Sequence, residues 1–165
     1  MIFFDEKKQI FHLQTPNSSY MIGIYGGYIL EHFYWGKRLE TCDGVSGSPK
    51  KTASFSSIDA ELFEQGLNAS TEIIPQEYSF YGSCDLRKPA FHAVYADGSR
   101  ITKMKYVSHT IYSGKPKLCG LPSTYAESDS EADTLEITVK DELTGLELIY
   151  RYTAFNNYDA ITRNT

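Results

Sequence analysis

The residues able to carry chemistry in this chain are few and scattered. The four histidines show neither HxH nor HxxxH spacing: His12, His32, His92 and His109. His12 and His92 each fall within an alternating strand pattern, which favours structural or surface roles over metal ligation. No G-x-S-x-G segment and no Cys-His signature is present, so a hydrolase nucleophile is not indicated. We therefore expect no metal, no cofactor and no catalytic residue in this chain.

The aromatic run Phe33-Tyr34-Trp35, followed by Gly36-Lys37-Arg38, is the best candidate contact for a sugar. An aromatic face suits the apolar C–H side of a pyranose, and adjacent polar groups can take its hydroxyls. The alternative is core packing at a strand end. Acidic pairs such as Glu61 with Glu64 lie in polar loops, whereas a glycosidase needs two carboxylates roughly 5 to 10 Å apart across a pocket. We expect those acidic residues to be solvated.

Composition restricts the class of protein. A chain of 165 residues with 41% apolar residues can build a core without metals or disulfides. The formal charge of -5 disfavours nucleic acid and anionic membranes as partners. Its longest apolar stretches fall far short of the roughly 20 residues that cross a bilayer. Acidic Asp5 and Glu6 follow the first apolar residues, unlike a secretory signal, and three cysteines without CxxC spacing suit a reducing cytosol. We expect a cytoplasmic protein.

Alternation of apolar and polar residues with period two predicts an all-β fold, an antiparallel β-sandwich built from hairpins. Three hairpins stand out, with short runs at 1–4 and 9–13 completing a meander with the first. The first pairs 19–25 with 28–35 around Gly26-Gly27. The middle hairpin pairs 90–95 with 101–106 around Asp97-Gly98, and the third pairs 135–140 with 146–153 around 141–145. Asp-Gly and Gly-Gly pairs tolerate the positive φ of tight hairpin turns.

A long loop interrupts this pattern between Gly36 and Pro75. A helical turn or two is predicted from Ser57, as N-cap, to Gly66, as a stop, with acidic Asp59 and Glu61 in the first turn. An unstructured loop of this length is unusual in a compact domain, which indicates a functional or mobile segment. Its apolar side chains need burial, either within the domain or against a partner: Phe55, Phe63, Ile73 and Ile74.

Four strings, in order along the chain, resemble the amino-terminal region of family 36 glycoside hydrolases, the bacterial-type α-galactosidases. They are YWGK at 34–37, QEYSFYGSCDLRKPA at 76–90, KPKLCGLPSTY at 115–125 and YDAITR at 158–163. Together with TLEI at 134–137 they cover almost the whole chain. The resemblance implies that residues 1–165 are the first part of a galactose-mutarotase-like β-supersandwich, which precedes a (β/α)8 barrel and a small carboxy-terminal β domain.

The activity that this resemblance implies is hydrolysis of terminal α-galactosyl residues, as in melibiose and raffinose, with retention and without a metal. Both catalytic aspartates of the family lie on the barrel, which takes about 250 residues, so none is expected here. Family members continue beyond the position of Thr165, and an unpaired sheet edge tends to recruit another copy. Self-association of the chain is therefore an expectation.

The resemblance also implies a homotetramer in which a long loop, here residues 41–75, reaches the active-site mouth of a neighbouring subunit. This loop departs from other members at Thr52 and near Leu67, so Phe55 is kept only as a weak candidate sugar contact. Trp35, from the aromatic run at 33–35, is the other weak candidate. Asp85 and Arg87 are expected to pair and brace the base of the loop. Two other functions stay open, namely a stand-alone carbohydrate-binding sandwich and a purely structural interaction domain. Galactoside binding by the chain would distinguish them.

Overall fold

Two four-stranded antiparallel sheets form the protein in a computed structural model that describes residues 1–51, 58–83, 88–120 and 122–165. Both sheets are meanders, because every strand pairs with its neighbour in sequence. The first sheet contains β1 (Ile2–Asp5), β2 (Ile10–Gln14), β3 (Ser18–Tyr25) and β4 (Ile29–Lys37). The second contains β5 (Met104–Ser113), β6 (Ala132–Asp141), β7 (Glu147–Phe155) and β8 (Ile161–Asn164). The prediction of an all-β antiparallel sandwich is confirmed.

The first and third predicted hairpins are present. Gly26 and Gly27 take φ of 61° and 81° in the turn between β3 and β4, a conformation that residues with a Cβ rarely adopt. The chain between β6 and β7 turns back at Asp141, whose carbonyl accepts from the Gly145 amide at 2.8 Å. In both hairpins an alternating pattern gives each sheet one face that can be buried.

The middle hairpin was predicted wrongly. Its Asp97-Gly98 turn exists, since Gly98 has a φ of 83° and the Tyr95 amide donates to the Ser99 carbonyl at 2.9 Å. Residues 90–95 nevertheless form no strand, and the chain that follows pairs with β6 from Met104 onward. The physical reason is that the first arm packs elsewhere: Phe91 lies against the core and bridges to Phe80, while Val94 and Ile101 are 62% and 67% exposed. The two arms therefore lack the cross-strand side-chain contacts that stabilise a hairpin.

The core lies between the inner faces of the two sheets. Phe11, Leu13 and Ile22 of the first sheet are fully buried and belong to the same cluster as Leu135 and Ile137 of the second. Burial of a side chain of this size contributes about 1.5–3 kcal/mol. The two sheets therefore hold each other as the layers of a sandwich.

The outer face of the first sheet is covered by the segment that follows β4. Cys42 of this segment packs with Ile10 and Met21, and Val45 lies against the same cluster. The ammonium of Lys50 pairs with the buried carboxylate of Glu31. The first part of the predicted 41–75 loop is thus bound to its own sheet.

The rest of the described loop contains the short helix α1 (Ala60–Glu64). Asp59, predicted in the first turn, is instead the N-cap of this helix, and its side chain accepts from the Glu61 amide at 3.0 Å. The predicted cap, Ser57, lies outside the described residues. Gly66, with a φ of 72°, follows the end of the helix as predicted. Among the described residues no helix has the length and apolar character needed to cross a membrane.

Candidate functional site

The segment 75–77 carries the most heavily bonded acidic residue of the sandwich. It runs along the free edge of β4, where the His32 amide donates to the Pro75 carbonyl at 2.7 Å and the Glu77 amide to the Leu30 carbonyl at 3.0 Å. Gln76 forms an antiparallel bridge with Glu31. These backbone bonds direct the Glu77 side chain inward, between the two sheets.

The Glu77 carboxylate is 1% exposed and has partners on four strands. The Tyr20 hydroxyl donates at 2.7 Å to both oxygens, and the Tyr152 hydroxyl donates to Oε1 at 2.8 Å. Arg163 donates from Nη1 to Oε1 at 3.2 Å, and His32 Nδ1 lies 3.6 Å from Oε2. We call these five residues the Glu77 cluster. It joins β3 and β4 of one sheet to β7 and β8 of the other.

In the Glu77 cluster, hydrogen-bond donors from Tyr20, Tyr152 and Arg163 surround one acceptor, the Glu77 carboxylate. Burial, and next the neighbouring Glu77 carboxylate, raise the pKa of both Tyr20 and Tyr152 far above that of an exposed tyrosine. Both hydroxyls act as hydrogen-bond donors to the carboxylate. A carboxylate with several donors in a low-dielectric interior is strongly held, and it is not free to attack a substrate.

Trp35 lies beside the Glu77 cluster and faces solvent. It pairs with Tyr20 across the β3–β4 ladder, their ring centroids are 6.2 Å apart, and Trp35 is 73% exposed. The core-packing alternative is therefore wrong for Trp35, although Phe33 and Tyr34 do pack against the buried cluster on the outer face of the first sheet.

The other predicted site residues divide into two groups. Phe55, Asp85 and Arg87 lie outside the described residues, so their roles remain predictions. The histidines are separate: His12 bonds to Ser19, and His109 bonds to the Tyr106 hydroxyl at 2.7 Å. Across the described ranges no three His, Cys, Asp or Glu side chains converge as metal ligands would.

Sequence reasoning missed the role of Glu77, although two of the quoted strings contain Glu77 and its charged partner Arg163. Glu77 is the second residue of the 76–90 string and Arg163 is the last of the 158–163 string. The one sequence feature that these two residues share is that both lie in strings that resemble the same family. Nothing in their local spacing indicated a contact across the sandwich.

The fold and the Glu77 cluster define an antiparallel β-sandwich domain whose two sheets are joined by an internal carboxylate. Comparison with known proteins places this sandwich in a family: residues 28–165 match the family model described as the glycosyl hydrolase family 36 N-terminal domain. The chain belongs to that family, which confirms the resemblance found in the sequence.

Relatives and solved structures agree with this assignment. Alpha-galactosidase AgaA of Geobacillus stearothermophilus is 36% identical over 163 residues, which are 99% of this chain and 22% of that protein. The crystal structure of alpha-galactosidase AgaB from the same organism covers 99% of this chain at 38% identity with a TM-score of 0.88, over 22% of its own length. A variant of AgaA in complex with stachyose matches with a TM-score of 0.85, covering 94% of this chain and 21% of that one. The chain thus spans about a fifth of the length of these relatives.

Proposed function

We propose that this chain serves as the non-catalytic amino-terminal domain of an α-galactosidase that hydrolyses terminal α-D-galactosyl residues with retention. The observation that carries the proposal is its 36% identity, over almost its whole length, to 22% of a protein named as an alpha-galactosidase. Crystal structures of two variants of AgaA are described in complex with stachyose and with raffinose, which supports α-galactosides as the substrate class. The catalytic aspartates would lie on a barrel of about 250 residues outside this chain.

Enzyme assays test this division of labour. The 165-residue chain should not release p-nitrophenol from p-nitrophenyl α-galactoside, because both catalytic aspartates would lie on a barrel outside this chain. A longer protein that continues from this chain through a barrel should release it, with the α-anomer of galactose as first product by NMR. Turnover by the 165-residue chain alone would contradict the proposal.

We further propose that the segment 58–74 contacts a neighbouring subunit of a homotetramer near its active-site mouth. Within this segment Leu62 and Ile74 are buried in their own sandwich, whereas Phe63 and Ile73 are 64% and 42% exposed. Exposed apolar residues beside buried ones favour a covered surface in an assembly. Ile74 is therefore already buried within the chain, whereas Phe63 and Ile73 remain available to contact a partner.

Substitution is a sharper test than deletion, because deletion would remove the buried Leu62. In the longer enzyme, Phe63→Ser with Ile73→Ser should lower the sedimentation coefficient and change the ratio of kcat/KM for melibiose and raffinose together. The matched control is Leu143→Ser, in a turn outside this segment where Leu143 is 92% exposed. An unaltered assembly with unaltered kinetics would reject the contact.

A carbohydrate-binding module is the second candidate function, and the exposure of Trp35 is the observation that favours it. An indole that is 73% exposed beside Tyr20 offers a stacking surface for a pyranose. Calorimetry of the 165-residue chain with melibiose and raffinose tests it. We expect no heat of binding; millimolar or tighter affinity that is lost in Trp35→Ala would establish the module instead.

We also propose a cytoplasmic location. Cys42 and Cys119 are free thiols, which a reducing compartment preserves. Cell fractionation with an antibody to this domain tests the location, and recovery in the secreted fraction would overturn it.

A further inference from the structure

A pocket of about 220 Å³ opens between the facing edges of the two sheets, β4 and β5. Its floor consists of buried apolar side chains from four strands, namely Leu30, Met104, Val139 and Tyr150. Tyr78 forms one wall and packs against Tyr150 with ring centroids 4.7 Å apart. The described lining is therefore mainly apolar and aromatic.

The polar groups around this pocket are bonded to one another. The Tyr28 hydroxyl donates to Asp59 at 2.6 Å, and the Lys103 ammonium lies 2.8 Å from the other oxygen of that carboxylate. Gln76 Nε2 donates to the Ser83 carbonyl at 3.3 Å. These groups are therefore not free to bind a polar guest. An engineered apolar cavity of about 150 Å³ takes benzene, so a mainly apolar pocket of this size suits an apolar guest.

Desolvation restricts the guest further. The charged side chains that line the pocket, Asp59 and Lys103, pair with each other at 2.8 Å. A charged guest would lose its hydration on entering an apolar pocket whose charged residues are already paired. A neutral guest does not meet this cost.

We propose that this pocket binds a small uncharged aromatic molecule of one or two fused rings. The volume exceeds that of a cavity sufficient for benzene, which allows a second ring. The aromatic wall formed by Tyr78 and Tyr150 provides offset or edge-to-face contacts to such a ring. This binding is independent of the galactoside chemistry proposed for the longer enzyme, so each can fail separately.

Calorimetry with indole as the probe tests the pocket in the 165-residue chain. We expect saturable binding of one indole, and at least about tenfold weaker binding of indole-3-acetate, whose carboxylate would lose hydration in the apolar pocket. Val139→Phe fills the floor and should abolish binding. Val107→Phe is the matched control, because Val107 lies on β5, outside the pocket lining, and is 54% exposed.

A second variant protects the test from a folding failure of Val139→Phe. Ile101 lies at the mouth and is 67% exposed, so Ile101→Trp should fold, narrow the entrance and weaken indole binding at least about tenfold. Near-ultraviolet circular dichroism confirms the fold of each variant. Absence of indole binding by the folded chain, or binding that survives in folded Ile101→Trp at full strength, would overturn the proposal.

Discussion

Glu77→Gln is the substitution that most directly tests how the two sheets are held together. Glutamine keeps the size of the side chain and one acceptor oxygen, but it removes the charge that strengthens three hydrogen bonds. Hydrogen bonds to a charged group contribute about 1.5–3 kcal/mol, against about 0.5–1.5 kcal/mol for neutral pairs. The difference is about 1 kcal/mol for each tyrosine. Arg163 adds less, because its side chain is 47% exposed and partly screened by solvent.

The expected loss in the free energy of unfolding is therefore about 2–3 kcal/mol. Urea unfolding of the 165-residue chain, followed by near-ultraviolet circular dichroism, measures it. With a slope of about 1–3 kcal/mol per molar urea, the midpoint should fall by roughly 0.7–3 M. The matched control is Glu147→Gln, which breaks the exposed pair between Glu147 and Lys140 and should leave the midpoint unchanged.

A double-mutant cycle assigns the effect to a particular contact. Tyr152→Phe removes one donor to Glu77 and should cost about 1–2 kcal/mol by itself. Combined with Glu77→Gln, the two losses should fall short of their sum by at least about 0.5 kcal/mol, because both act on one hydrogen bond. A midpoint within about 0.3 M of the wild type for Glu77→Gln, or fully additive losses, would refute the reasoning.

Three further changes follow from local geometry. Gly26→Ala should lower the free energy of unfolding in urea by about 2–4 kcal/mol, because φ is 61° and the new Cβ would clash with the Leu62 side chain. Gly27→Ala places its Cβ in open space and should cost only about 1 kcal/mol. Equal losses in the two variants would contradict the clash. Asp59→Ala should destabilise the protein by about 1–2 kcal/mol through loss of the helix cap, and Asp59→Asn should restore most of it. Burial lowers the pKa of His109 from its ordinary value of 6.5, so the unfolded chain binds a proton at His109 more readily than the folded protein does. The stabilisation due to neutral His109 is therefore complete above pH 6.5 and is lost as the pH falls below that value. The unfolding midpoint of His109→Gln should therefore fall less than that of the wild type between pH 7.5 and pH 5, and identical profiles would exclude His109 as a source of the pH dependence.

The elements that the sequence predicted well are those whose turn and burial pattern agree locally. Gly26-Gly27 fixes one hairpin, and the 135–153 alternation fixes another, because in each case one face of the strands is covered by the opposite sheet. The Asp97-Gly98 turn is equally clear in sequence, yet residues 90–95 form no strand, because Phe91 packs against the core and bridges to Phe80. A turn signal specifies a reversal of the chain, whereas burial of the strands depends on distant segments.

The same limit explains why the internal carboxylate was missed. The partners of Glu77 lie 57, 75 and 86 residues away in sequence, so no local period or motif could bring them together. Trp35 illustrates the opposite case. Its alternation in β4 suited the core, yet Trp35 is 73% exposed, two residues before the end of that strand.

The connections of this sandwich have a kinetic consequence. Each sheet pairs only strands that are neighbours in sequence, so both meanders can assemble through short loop closures. The bonds of Glu77 to Tyr152 and Arg163 join residues 75 and 86 positions apart and can form only after the sheets approach each other. They should therefore be absent from the folding transition state, and loss of the Glu77 carboxylate should accelerate unfolding while leaving the refolding rate almost unchanged.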